Sequence, residues 1–166
     1  MEKEKKDFED FLEALNKNVA EYCIVGAYAV GHHAEPRNTK DIDFLVRDTK
    51  ENAEKILKAI NDFGFGSLNI TIDDLTTKDT IIQLGYAPNR IDIITSIAGV
   101  EFDEVWKTKV NGKFGITKAY FIGLNELIKS KEASKEQRER KEDIYKDMHD
   151  VELLKRVREL KLSRER

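Results

Sequence analysis

An α+β fold, with a mixed sheet and helices packed around it and following it, is predicted by three observations. Short alternating or wholly apolar runs such as Tyr22-Cys23-Ile24-Val25 and Asp41-Ile42-Asp43-Phe44-Leu45-Val46 read as strands. Apolar residues spaced three and four apart, as in Phe8, Phe11, Leu12 and Leu15, read as amphipathic helices. The two kinds of segment are interleaved through the first two thirds of the chain, and the last third is helical in pattern.

The elements follow in order. After the first helix, the run Tyr22 to Val25 is stopped by Gly26, and a second helical stretch follows from Tyr28 to about Ala34. The loop Glu35-Pro36-Arg37-Asn38-Thr39-Lys40 leads into the strand Asp41 to Val46. Asp48 with Glu51 signals a helix start, Ala53, Ile56, Leu57 and Ile60 supply its apolar stripe, and Gly64 and Gly66 end it. Ile81 to Leu84 and Arg90 to Ile94 read as two strands joined through Gly85 to Asn89. Asn111-Gly112, between Lys109-Val110 and Lys113-Phe114, signals a hairpin turn. Leu124, Leu127 and Ile128 mark one helix, and Ile144, Met148, Val151, Leu154 and Val157 a longer one. The charge run from Lys129 to Lys141 between them reads as a solvated helical face or loop.

With 166 residues and 40% apolar composition, the chain has the size and core of one folded unit spanning residues 1–166. A net charge of -3 gives no global footprint for nucleic acid, and the two glutamines among abundant Lys and Glu lean toward thermophilic surface chemistry. Cys23 is the single cysteine, which excludes an internal disulfide and a multi-thiolate zinc site. With no apolar run approaching the ~20 residues of a membrane span and no signal-like segment at the N-terminus, a soluble, cytoplasmic protein with no membrane partner is expected.

Chemistry concentrates in the acids. In Asp41-Ile42-Asp43 the period of a strand sends both carboxylates to one face, about 6–7 Å apart, while Ile42 and Phe44 face the core. Such a pair reads either as hard oxygen ligands for a cation or as two exposed acids at a strand end. Asp92 lies on the same face of its strand as Arg90, with Ile91 and Ile93 opposite, so it reads as a third functional acid or as half of a salt bridge. His32 and His33, adjacent on a short helix, read as packing or surface residues, and Cys23 as core.

The set formed by Val25-Gly26-Ala27 before a helix, Asp41-x-Asp43 about 15 residues later, and Asp92 on a later strand resembles the DNA polymerase β-like nucleotidyltransferase superfamily. It resembles especially the small bacterial and archaeal members grouped with the AbiEii-type toxins. The whole stretch from Ile24 to Val46 looks like that pattern, and Leu127-Ile128, Lys131, Ala133, Arg140-Lys141, Asp143 and Asp147 look like its closing helices. Ala27 departs from the family's Gly-Gly/Ser step and brings no hydroxyl.

The resemblance implies a nucleotidyltransferase core in which Asp41, Asp43 and Asp92 are both catalytic residues and ligands for Mg²⁺ or Mn²⁺. It implies a nucleoside triphosphate held by Gly26, Ala27, Arg37, Thr39, Lys131 and Arg140. The acceptor would be an RNA such as tRNA, a protein or a small molecule. A catalytically inert, nucleotide-binding regulatory protein, or a partner in a toxin-antitoxin pair, is the alternative the pattern leaves open.

Overall fold

The computed structural model describes residues 3–36, 39–85, 89–137 and 141–165. Its elements are α1 (Lys3–Lys17), β1 (Tyr22–Val25), α2 (Gly26–His33), β2 (Asp41–Val46), α3 (Lys50–Phe63), a 3-10 turn at Gly66–Leu68, and α4 (Ile72–Thr76). They continue as β3 (Ile81–Leu84), β4 (Arg90–Ile94), α5 (Phe102–Thr108), β5 (Val110–Phe114), β6 (Thr117–Phe121), α6 (Leu124–Gln137) and α7 (Lys141–Glu165).

The strands form a six-stranded sheet in the order β3-β4-β2-β1-β6-β5. β2 and β4 are parallel, as are β1 and β6, while β1–β2, β3–β4 and β5–β6 are antiparallel, so the sheet is mixed. Alternation along β2 and β4 puts Ile42, Phe44, Ile91 and Ile93 on one face, all at most 3% exposed. Phe8, Phe11, Leu12 and Leu15 from α1 and Ala53, Ile56 and Ile60 from α3 belong to the same buried core, with the Phe11 ring edge-on to Phe44 at 5.5 Å and to Phe63 at 5.4 Å.

The ends of these elements are fixed by side chains. Thr49, not Asp48, is the N-cap of α3, because its side chain accepts from the Asn52 amide; Gly64 closes the helix at φ 106°. Asn52 is itself buried. Its Oδ1 accepts from the Glu21 amide at 2.8 Å, and its Nδ2 donates to the carbonyls of Glu21 and Arg47 at 3.0 Å, tying the start of β1 to the end of β2.

The hairpin between β5 and β6 turns four residues later than the Asn-Gly pair predicts. Asn111 and Gly112 lie inside β5, opposite Tyr120 and Ala119, and the turn falls at Gly115, which has φ 63°. Gly112 is needed for closeness: a Cβ there would stand 2.8 Å from His32 Cε1 and 3.0 Å from Phe121 Cε2. His32 is stacked on the Phe121 ring at 4.0 Å, and His33 Nε2 lies 2.7 Å from the Ile122 carbonyl, so both histidines pack α2 against the end of β6. Burial pushes both imidazoles below their ordinary range.

The charge run is helical within its described part, continuing α6 to Gln137, and α7 begins at Lys141 and packs along α6. Among the described residues no helix is long and apolar enough to cross a membrane.

Candidate active site

The second face of β2 and β4 carries the acids. Parallel register sets Asp43 beside Asp92 and Asp41 beside Arg90, with neighbouring strands about 4.8 Å apart. Four charged side chains therefore share one small patch. Asp92 has a side chain only 9% exposed, and the Arg90 fork grips it with Nε at 2.6 Å from Oδ1 and the terminal nitrogen at 3.0 Å from Oδ2. The same terminal nitrogen lies 3.3 Å from Asp41 Oδ2. These carboxylates hold the Arg90 guanidinium more firmly charged than usual, the hydrogen bond to Asp92 leading.

Asp43, half-buried between its neighbours, meets the strongest opposition to its charge. Burial, the Asp92 charge and hydrogen bond, and Asp41 push its carboxyl up to about 7, against the opposing pull of Arg90. Gly26, the first residue of α2, presses on it from the neighbouring strand end: it has φ 70°, and a Cβ there would collide with Asp43 Oδ2. The glycine that stops β1 is thus what lets the α2 backbone approach the acid.

Gly26 and Asp43 open into a cleft of about 670 Å³ whose far wall is helical, with Leu127, Ser130, Lys131 and Ser134 from α6 and Asp147 from α7. That volume falls within the ~300–1,000 Å³ of small-molecule sites. Lys131 lies across from Gly26, but its ammonium is already held, 3.5 Å from Asp147 Oδ1 and 3.0 Å from Asp150 Oδ2, both acids being almost wholly buried. A second hollow of about 400 Å³, with Arg47, Lys78 and Thr95 in its lining, continues past Asp79, Ser96 and Ile97, which border both.

The structure thus sets Asp41, Asp43 and Asp92 on one face of adjacent strands with Gly26 against Asp43; of the three acids, Asp43 is the one that lines the cleft. Ala27 follows in the first turn of α2. Thr39 stands beside Asp41, its hydroxyl 3.4 Å from the Asp41 carbonyl, while Tyr28 donates to the Thr39 carbonyl at 3.3 Å. Lys131 lines the same cleft as Asp43, engaged with α7. Arg37 and Arg140 lie outside the described residues. Cys23 is wholly buried, and desolvation raises its thiol to about 12, as befits a core residue.

Sequence reading passed over Ser130 and Ser134, which the cleft uses. Their signal is positional: with Leu127 and Lys131 they recur at helical spacing on one face of α6, hidden inside the charge run.

Carboxylate oxygens such as those of the three aspartates are the donor type that hard divalent cations such as Mg²⁺ and Mn²⁺ take. Among the described residues, however, no three acidic, histidine or cysteine side chains stand gathered as a metal cage. Two of the three acids, Asp92 and Asp41, are instead paired with the guanidinium of Arg90.

No family model matches the chain. No curated protein matches it either. Among solved structures, the chain is similar to an antigenic nucleotidyltransferase-like protein from Paracoccidioides brasiliensis, with TM-score 0.57 and 14% identity over 91% of this chain and 75% of that one. At such identity the likeness is one of fold: the mixed sheet and its surrounding helices form a nucleotidyltransferase-like fold.

Proposed function

We propose that the chain is a metal-dependent nucleotidyltransferase that moves a nucleoside monophosphate group from a nucleoside triphosphate to an acceptor hydroxyl. One observation carries this reading: Asp43 and Asp92 stand in register on parallel strands, Asp41 shares their face, and Gly26 presses the start of a helix against them. Asp41, Asp43 and Asp92 would hold Mg²⁺ or Mn²⁺, which when bound neutralises phosphate charge and polarises the phosphoryl oxygens.

The protein's own groups would do the rest. Backbone N–H groups of Gly26, Ala27 and their successors, at the positive end of α2, favour an anion. Thr39 flanks Asp41, and Lys131 faces the cleft from α6 as a cation for the triphosphate. Arg37 and Arg140 join this nucleotide-binding set by resemblance. Asp92 is the acceptor's base: it takes the hydroxyl proton as the new oxygen–phosphorus bond forms, and pyrophosphate leaves with the electrons of the bond that breaks.

RNA such as tRNA, a protein, or a polyhydroxylated small molecule supplies the class of acceptor. The test is incubation of the purified protein with each α-labelled nucleoside triphosphate, Mg²⁺ or Mn²⁺ and those acceptors. Label transfer that disappears in Asp43→Asn and Asp92→Asn supports the enzyme.

A second reading has its own observation. Ala27 brings no hydroxyl, and Arg90 and Lys131 are both engaged with protein carboxylates, as in a descendant that binds nucleotide in a regulatory or toxin-antitoxin complex without turning it over. Nucleotide binding that depends on Asp43, with no label reaching any acceptor in host lysate, would favour it.

A further inference from the structure

Arg90 occupies an unusual position for a structural salt-bridge partner. It takes both oxygens of Asp92 with the two prongs of its guanidinium and still reaches Asp41. Asp92 and Asp41 are two of the three carboxylates on which the metal reading above rests, and the inference rests on that reading. We infer that Arg90 is a built-in competitor for the divalent cation, occupying the acids as a counterion that must withdraw before Asp41, Asp43 and Asp92 can act on one metal.

The geometry makes withdrawal feasible. Arg90 is the first residue of β4, and its side chain is 25% exposed against 9% for Asp92, so the guanidinium lies on the solvent side of the acid it grips. A long side chain at a strand end can rotate outward without repacking Ile91 or Ile93, which face the opposite core. A guanidinium stays charged at every working pH, so only a stronger cation or a ligand bringing one can displace it. The pairing also offsets the mutual repulsion of acids that share one face of two adjacent strands.

A plain structural bridge and a competitor predict opposite signs. If the bridge merely organises the strand, removing Arg90 weakens metal binding. As a competitor, its removal strengthens binding.

The experiment is a Mn²⁺ titration followed by electron paramagnetic resonance of the free ion, without nucleotide, on the unmutated chain, Arg90→Gln, Arg90→Lys and the double variant Arg90→Gln with Asp43→Asn. Arg90→Gln should bind Mn²⁺ about ten-fold tighter or more, given the strength of a two-pronged charged pair. Arg90→Lys, a point charge without the fork, should fall between, and the double variant should lose the gain. In the unmutated chain, the Arg90 Nε proton should exchange faster with water on addition of Mg²⁺, a readout that needs no variant to fold. Equal or weaker Mn²⁺ binding by Arg90→Gln, or an Nε proton indifferent to Mg²⁺, overturns the competitor role while leaving metal binding in place. Absence of Mn²⁺ binding by every variant, Arg90→Gln included, overturns the metal reading itself.

Discussion

Replacing Asp43 with Asn should make the metal-free protein more stable at pH 8. Asp43 is held near Asp92 and Asp41 in a poorly hydrated spot, and its carboxyl is pushed from 3.8 up to about 7, burial contributing most. Between those two values the folded state binds the proton more tightly than the unfolded chain. The associated stability is therefore fully present below pH ~4 and is lost as pH rises through the folded value near 7. The interval corresponds to about 4 kcal/mol; relaxation of Arg90 and entry of water reduce this, and a gain of about 2–4 kcal/mol is expected. Asn removes the charge while its amide can still donate to Asp92, replacing the hydrogen bond the protonated acid makes. The assay is urea denaturation in excess chelator at several pH values from 4 to 8.5, followed by the fluorescence of Trp106, the single tryptophan. The advantage of Asn should be small near pH 4, grow to pH ~7 and then level off. An Asn variant less stable than the parent at pH 8, or an advantage independent of pH, would refute the reasoning.

Other outcomes follow from the same geometry. Adding Mg²⁺ or Mn²⁺ at pH 8 should raise the melting temperature of the parent and leave Asp43→Asn unchanged, measured by differential scanning fluorimetry. Gly26→Ala places a Cβ against Asp43 in a left-handed backbone; a loss of about 1–3 kcal/mol in chemical denaturation is expected, together with loss of metal-dependent nucleotide binding. Gly112→Val should cost about 2–3 kcal/mol by crowding His32 and Phe121, with nucleotide affinity per folded molecule unaltered in calorimetry. Lys131→Met takes the ammonium away from buried Asp147 and Asp150, and should lower stability by about 3 kcal/mol; triphosphate affinity should fall more than monophosphate affinity if the same ammonium serves the ligand.

What could be read from the sequence was whatever a short period encodes. β1, β2, β3 and β4 are each specified by four to six residues of alternation or apolar run, and the strand spans expected from the sequence coincide with those observed. The shared face of Asp41 and Asp43 follows from that period alone. Their pairing with Asp92 does not, because register between β2 and β4 is set by side chains distant in sequence, with α3, α4 and β3 intervening. The Asn-Gly hairpin signal misled for a related reason: Gly112 is small on account of a histidine from α2 and an aromatic from β6, neither visible in its local sequence. The charge run concealed the cleft wall in the same way. Lys131 is charged and yet only 16% exposed, because Asp147 and Asp150 arrive from the next helix.

The position of the acids on the sheet explains why their repulsion is tolerated. The face of β2 and β4 that carries Asp41, Asp43 and Asp92 at one end carries Leu45 and Ile94 at the other. The opposite face buries Ile42, Phe44, Ile91 and Ile93. Relief of the repulsion by sliding one strand past the other is costly, since a one-residue slip would turn that whole apolar set away from its core. Rotation of single side chains is the only cheap response, and at Asp43 it is limited by Gly26 on one side and Asp92 on the other. Asp41 and Asp92 instead gain a counterion from within the strand pair, through Arg90. The core thus fixes where the acids are, and Arg90, anchored on the neighbouring strand, supplies the charge that lets Asp41 and Asp92 stay side by side there.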